Sequence, residues 1–142
     1  MLETCGLSKL IKMSKLDELA FIVAAVCHDL GHDGFTNSYH SNAITSRAID
    51  SNDISVQETY HTAEFFRILQ DEDLNFLSGL SKEEFKLFRK RSIGLILATD
   101  MAKHSADLSS LNALLDNHSV ANGENLDKLI EIDDANALFK YQ

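Results

Sequence analysis

Residues 16–37 read LDELAFIVAAVCHDLGHDGFTN, and this stretch decides the fold of the chain. Between Leu19 and Cys27 it is apolar on nearly every face of a helix. Such a pattern is typical of a helix buried in a larger body rather than one lying on a surface. The glycine-rich turn GHDG at 31–34 then interrupts it. The sequence therefore predicts a buried helix over 16–30 with a polar cluster at its carboxyl end.

Helical patterns continue along the chain, and no segment shows the sustained period-two alternation of β-strands. A Ser-x-x-Glu signature, in which the serine oxygen and the glutamate side chain satisfy backbone donors of the first turn, occurs twice. The capping pairs are Ser55–Glu58 and Ser81–Glu84, and the further predicted helices cover 38–50, 56–70, 82–103, 106–117 and 124–140. The fold class is expected to be all-α. The 142 residues fit one domain or a piece of one.

Composition and charge exclude several classes of function. A net charge of -9 disfavours nucleic acid and anionic lipid as partners, because both need a basic surface. No apolar run approaches the ~18 residues of a membrane span, and the first residues do not resemble a secretory signal. We therefore expect a cytoplasmic setting, with Cys5 and Cys27 as reduced thiols. An anionic substrate would need metal ions to receive it.

The polar cluster carries the chemistry. His28 and His32 stand four residues apart, on one helical face if the helix persists, and Asp29 points about 100° round from His28. Imidazole and carboxylate groups offered together can bind one or two divalent metals, because carboxylate oxygens can bridge. A single His-Asp pair is more often a hydrogen-bonded pair than a metal site. The longer string H-D-x-x-H-x-G-x-x-N after an apolar helix favours a metal-dependent hydrolase.

This string resembles the metal-binding signature of class I cyclic-nucleotide phosphodiesterases. Further family motifs follow in the family's order: Asn52-Asp53, SVQETYH at 55–61 where the family has Leu-Glu-Asn-His-His, and LATDMAKH at 97–104, close to A-T-D-M-x-x-H. The resemblance covers about residues 7–115. It implies a compact multi-helix fold of the HD-domain and phosphodiesterase type. It also implies hydrolysis of cAMP or cGMP to the 5′-monophosphate by a two-metal mechanism, and it is compatible with a homodimer of the full-length protein.

The resemblance assigns roles at the metal site. It implies two divalent ions, Zn²⁺ and either Mg²⁺ or Mn²⁺, with His28 and Asp29 as ligands and Asp29 touching both ions. His32 and Glu58 are implied as catalytic groups that hydrogen-bond waters on the second ion, and Thr99 as a further group of this kind. Waters of this kind suit a hard ion that keeps part of its hydration shell.

Three other positions have implied roles around the site. Asn37 resembles a polar group close to the metal-site loop, Asp100 a group that orients the ligands, and Met101 a wall of the nucleotide pocket. Alternatives stay open from the residues alone. Glu58 serves equally well as the capping partner of its helix, Thr99 and Asp100 as the solvated end of one, and Met101 as core. His61 and His104 are expected to be structural hydrogen-bonding residues.

The sequence departs from the family at two positions within the matching region. Asp33 stands where the family usually has Pro, and Tyr60 where it has the first His of its His-His pair. Neither replaces an implied metal ligand. We expect Tyr60→His to be tolerated because it moves the sequence toward the family pattern. The family's H-N-x-x-H motif, which supplies the acid for O3′, is not found before His28, and its H-x-A-D-x-S segment is not found either. We therefore expect residues 1–142 to be a partial catalytic domain that is inactive in isolation.

Two competing functions remain. The chain could be a non-catalytic helical remnant of the fold that binds a metal or a partner. It could also be an HD-type hydrolase acting on another phosphate ester, although the A-T-D-M run at 98–101 argues against this.

Overall fold

The protein is helical throughout the part that the structure describes. The computed structural model describes residues 13–117, and this range contains no strand. The helices are Lys15–Cys27 (α1), Asn37–Asn42 (α2), Ser46–Ser51 (α3), Val56–Ile68 (α4), Lys82–Leu97 (α5) and His104–Asn117 (α6), with a 3₁₀ helix at Met101–Lys103. The all-α prediction is confirmed. None of these helices combines the length and apolarity that a bilayer crossing requires.

The chain divides into two compact units. Of the described residues, one unit comprises 13–18 and 101–117, and the other comprises 19–100. In the first, the hydroxyl of Ser14 donates to the carboxylate of Asp17 at 2.7 Å and accepts from its backbone N–H at 3.1 Å, which caps the start of α1. Every candidate site residue except Met101 belongs to the second unit.

The unit of residues 19–100 has a core built mainly from α1, α4 and α5. Its buried apolar residues are Ala20, Val23, Ala24, Ala48, Val56, Phe65, Leu69, Leu77, Phe88 and Ile96. The rings of Phe65 on α4 and Phe88 on α5 lie 6.4 Å apart, so aromatic packing joins these two helices. This packing positions α4, the helix that carries Glu58 and His61.

Helix α1 buries only one of its faces. Ala20, Val23 and Ala24 follow the i, i+3, i+4 spacing of a single helical face and are buried. Ile22 and Val26 point elsewhere and are 54% and 78% exposed. The described residues therefore cover one apolar face of this helix and leave other apolar side chains exposed.

Two of the predicted helices have different boundaries in the structure. The segment 38–50 splits into α2 and α3, because Ile44 takes a positive φ of 51° and Thr45 caps α3 by accepting from Ala48 N–H. The segment 82–103 ends as an α-helix at Leu97, beyond which the Thr99 hydroxyl donates to the carbonyl oxygen of Ile96 at 2.7 Å. The predicted helix over 124–140 lies outside the described residues.

The two predicted capping boxes have different outcomes. At the start of α5, Ser81 accepts from the Glu84 N–H, and the Glu84 side chain accepts from the Ser81 N–H, so this box is confirmed. Ser55 instead adopts a left-handed conformation with φ 44° and makes no cap hydrogen bond. Its hydroxyl donates to the Asp100 carboxylate at 2.8 Å, so the Ser55–Glu58 box is wrong.

Candidate metal centre

The loop after α1 is shaped by two tight turns. Leu30 N–H donates to the carbonyl oxygen of Cys27, and His32 N–H donates to that of Asp29, both at 3.1 Å. Gly31 has a φ of +71°, which a residue with a Cβ adopts only at a cost. A Cβ there would also lie 3.2 Å from the Tyr60 ring. Glycine at 31 thus allows the loop to turn directly against α4.

Three potential metal ligands meet where this loop contacts α4. One ligand atom from each of Asp29, His32 and His61 lies within 4.8 Å of the others. The rings of His32 and His61 are stacked with centroids 5.6 Å apart. A carboxylate and two imidazoles form a donor set suited to zinc and other first-row divalent ions. The chemistry of these residues fits a divalent metal.

The environment of His61 prepares it to act as a ligand. Its Nδ1 donates to the carbonyl oxygen of Leu30 at 2.7 Å, so Nε2 keeps its lone pair. Burial lowers the pKa of His61 and outweighs two effects that raise it, the hydrogen bond that the ring donates to the Leu30 carbonyl and the charge of Asp29. A lowered pKa favours the neutral imidazole near neutral pH, and this is the form that binds metals.

His28 lies beside Asp29 but outside the group of three. Its Nδ1 donates to the carbonyl oxygen of Ala25 at 3.0 Å, and its Nε2 lies 3.3 Å from Asp29 Oδ2. The other oxygen of this carboxylate, Oδ1, lies 4.0 Å from His61 Nε2. The two oxygens of Asp29 thus face two different histidines. Its side chain is 67% exposed and open to an incoming ion.

An amide ties the loop to the first turn of α4. The Asn37 side chain donates to the Glu58 carboxylate at 2.9 Å and accepts from the Gln57 backbone N–H at 2.8 Å. Thr36, just before Asn37, caps α2 by accepting from the Tyr39 N–H. Glu58 is therefore held by a neighbouring side chain rather than by the serine of its predicted box.

Asp33 belongs to the loop, and its carboxylate is the common partner of several polar side chains beneath it. Its carboxylate accepts from the side-chain amide of Gln57 at 2.8 Å and pairs with Arg47 at 3.3 Å. His40 Nε2 lies 3.3 Å from the same carboxylate. Burial raises the pKa of Asp33, but hydrogen bonds from Gln57 and the Phe35 N–H, with the charge of Arg47 and the His40 contact, lower it to about 2. Asp33 is therefore ionised near neutral pH.

These elements surround an open cleft of about 210 Å³. The cleft is lined by Asp29, His32, Gly34, Phe35, Thr36, Asn37, Gln57, Glu58 and His61. Ligand pockets usually measure roughly 300–1,000 Å³, so this cleft has the size for metal ions and a phosphate group rather than a whole nucleotide. Its lining includes two carboxylates and two imidazoles but, among the described residues, no lysine or arginine.

The structure brings together some of the sequence-predicted residues and not others. Asp29, His32, Asn37 and Glu58 line the cleft, whereas His28 does not.

Thr99, Asp100 and Met101 are also absent from the lining. The Thr99 hydroxyl donates to the Ile96 carbonyl oxygen of α5. Asp100 is buried and its carboxylate accepts from the Ser55 hydroxyl. Met101 begins the 3₁₀ helix of the other unit and is 74% exposed. The roles that the family resemblance implies for Thr99, Asp100 and Met101 therefore stay predictions.

Comparison with known proteins gives the family. The sequence model of the 3′5′-cyclic nucleotide phosphodiesterase family matches residues 1–139 of the chain. This chain belongs to that family. The resemblance seen in its motifs is thus confirmed over nearly the whole length.

Relatives in the phosphodiesterase family are considerably longer than this chain. The high affinity cGMP-specific 3′,5′-cyclic phosphodiesterase 9A of Mus musculus is 41% identical over 122 residues, which are 86% of the chain and 22% of that protein. The probable 3′,5′-cyclic-AMP phosphodiesterase pde-4 of Caenorhabditis elegans is 43% identical over 75% of the chain and 16% of its own length. The chain therefore spans about a fifth of these relatives.

Solved phosphodiesterase structures share the fold. The phosphodiesterase domain of the RhoPDE fusion protein from Salpingoeca rosetta matches with a TM-score of 0.72 and 36% sequence identity. The match covers 83% of this chain and 38% of that one. The helical arrangement thus belongs to the family and not to this chain alone.

From its sequence, His61 of this phosphodiesterase domain is expected to be only a structural hydrogen-bonding residue. The interpretation is right for Nδ1, which bonds Leu30. It missed that the ring also lies beside Asp29 and His32. One signal was present, because His61 follows Glu58 by three residues and residues at that spacing share a helical face.

Proposed function

We propose that the chain supplies the metal-binding part of a 3′,5′-cyclic nucleotide phosphodiesterase that hydrolyses cAMP or cGMP to the 5′-monophosphate. The observation that carries the proposal is the meeting of Asp29, His32 and His61 in the same cleft as Glu58. In the reaction, water adds its oxygen to phosphorus, the P–O3′ bond breaks and O3′ takes a proton. Divalent ions, when bound, supply positive charge to the phosphoryl oxygens and make water a better nucleophile near neutral pH.

The charge of the cleft supports a metal requirement. Asp29 and Glu58 contribute carboxylates, and no cationic side chain lines the cleft among the described residues. A phosphodiester anion would be repelled by such a surface unless divalent cations neutralised it first. The net charge of -9 acts in the same direction. The residues are therefore arranged for cations, and through them for an anionic substrate.

The two oxygens of Asp29 support a site for two ions. One oxygen faces His61 in the group with His32, and the other faces His28. We propose that Asp29, His28, His32 and His61 would together hold two divalent ions, Zn²⁺ and either Mg²⁺ or Mn²⁺, to which Asp29 would contribute through both of its oxygens. Glu58, held by Asn37, accepts hydrogen bonds from water at the cleft wall. Thr99 and Asp100 support the site through the helix ends that they hold, and Met101 remains a proposed wall of the nucleotide pocket.

Metal titration tests the proposal. The chain should bind Mn²⁺ or Zn²⁺ by calorimetry, and Asp29→Asn should weaken binding at least tenfold because it removes a charge but keeps the side chain's shape. Asp50→Asn, the same change at an exposed aspartate on α3, should leave affinity unchanged. In a protein extended to the full catalytic domain, Asp29→Asn should abolish hydrolysis of both cyclic nucleotides with little change in melting temperature.

Other results would contradict the proposal. A wild-type chain that binds no divalent ion would contradict the metal-binding role proposed for these residues. An extended Asp29→Asn protein that retains full turnover would show that the catalytic groups lie elsewhere.

A further inference from the structure

The two departures from the family pattern, Asp33 and Tyr60, contact the same side chain. The Asp33 carboxylate lies 3.3 Å from Arg47 Nη1, and the Arg47 guanidinium carbon stands 3.5 Å over the centre of the Tyr60 ring. We propose that Asp33, Arg47 and Tyr60 form a clamp that positions His32 in the metal-site loop. The effect of the clamp on metal binding rests on the proposed function, whereas the contacts that form the clamp do not.

Arg47 holds the loop on both sides of His32. Its Nη2 donates to the carbonyl oxygen of Gly31 at 3.2 Å, and its Nη1 pairs with Asp33. Residue 32 is therefore flanked by two neighbours bound to the same guanidinium. A planar guanidinium with several fixed donors restrains two acceptors together, which a single ammonium group cannot do as well.

Gln57 anchors the clamp to α4. Its side-chain oxygen accepts from Arg47 Nη1 at 2.6 Å, and its side-chain amide donates to Asp33 at 2.8 Å and to the Phe35 carbonyl oxygen at 2.8 Å. Gln57 is only 4% exposed, so this network lies under the loop and is poorly screened by water. The loop, α3 and α4 are thereby joined through one set of polar contacts.

Tyr60 provides the aromatic ring on which the Arg47 guanidinium stacks. Its ring receives the Arg47 guanidinium and lies directly against Gly31. The smaller imidazole of a histidine would offer less ring surface, and its protonated form would repel Arg47. We therefore expect Tyr60→His to loosen the loop, in contrast to the expectation from the family pattern alone.

Amide hydrogen exchange tests the clamp without metal. The His32 and Gly34 amides are suitable probes because both are hydrogen-bonded within the loop, at 3.1 and 2.9 Å. Arg47→Met and Tyr60→His should speed their exchange roughly tenfold, the size expected for losing one partly buried cation–π contact. Tyr60→Phe keeps the ring and should leave the exchange unchanged.

A matched control separates the clamp from general loss of stability. Arg89 stands 4.1 Å over the Phe66 ring, so Arg89→Met removes a contact of the same kind elsewhere in the unit. It should not change the exchange at His32. Combining Asp33→Asn with Tyr60→His should give less than the sum of the two effects, because both act through Arg47.

Mn²⁺ affinity provides the second measurement. Arg47→Met should weaken Mn²⁺ binding severalfold, and Tyr60→Phe should not. If Arg47→Met changes neither exchange nor affinity, or speeds exchange equally at the core amide of Phe65, the clamp is refuted. If the wild-type chain binds no Mn²⁺ but the loop amides respond as expected, the proposed function fails and the clamp stands.

Discussion

Replacing Ser55 with alanine should destabilise the unit of residues 19–100 by about 1.5–3 kcal/mol, the usual net contribution of a hydrogen bond to a charged group. The Ser55 hydroxyl donates to the Asp100 carboxylate at 2.8 Å, and the two residues are 6% and 8% exposed. This bond joins the start of α4 to the segment just after α5. Its loss should therefore loosen two helices that are far apart in sequence.

The backbone conformation at Ser55 predicts that alanine and glycine at this position differ in stability. Its φ of 44° is costly for any residue with a Cβ, and alanine keeps that cost. Ser55→Gly loses the same hydrogen bond but removes the backbone strain, offset in part by a more flexible unfolded chain. It should be roughly 0.5–1 kcal/mol less destabilising than Ser55→Ala.

A double-mutant cycle measures the bond directly. Urea unfolding followed by circular dichroism, at the lowest workable protein concentration, should show a coupling of about 1 kcal/mol or more between Ser55→Ala and Asp100→Asn. Ser55→Ala and Glu58→Gln should be additive within about 0.5 kcal/mol. Coupling of Ser55 to Glu58 and none to Asp100 would restore the capping box and refute the structural assignment.

The cap of α5 and the exposed side chains of α1 give two further predictions. Ser81→Ala should cost about 0.5–2 kcal/mol as the loss of a helix cap. Hydrogen bonds from Ser81 lower the pKa of Glu84 from 4.5, so the stability from this carboxylate is present above pH 4.5 and is lost on acidification. Thermal melts should therefore show the difference between wild type and Ser81→Ala shrinking below pH 4.5, and a constant difference would contradict it. On α1, the exposed Ile22 and Val26 should make the chain self-associate, and Val26→Glu should reduce this in sedimentation runs whereas Leu74→Glu, at a 55% exposed position elsewhere, should not.

Much of the fold follows from local sequence patterns. The box at Ser81 and Glu84 is right because both partners lie within one helical turn, where nothing distant competes. The same signature at Ser55 fails because a buried carboxylate 45 residues away takes its hydroxyl. The break near Ile44 was missed because the apolar periodicity at 38–50 does not reveal a positive φ.

The candidate site shows the same division. Asp29 and His32 lie in one motif, in which Asp29 was predicted to bind metal with His28, and His32 to hydrogen-bond water on the second ion. The position of His61 beside them was missed because it depends on α4 packing against the loop, 29 residues beyond His32. Arg47 carried no signal, since one arginine in a polar stretch is typical of a solvated surface.

Periodicity, caps and motif spacing act over a few residues, and they are enough to predict the helical class, the family and the placing of Asp29 and His32 in one loop. These two residues are part of the group Asp29, His32 and His61. Only the tertiary structure decided that His61 completes this group, that Ser55 bonds Asp100, and that Asp33 and Tyr60 meet on Arg47. Those contacts join separate elements, and their geometry arises only when the helices pack around a common core.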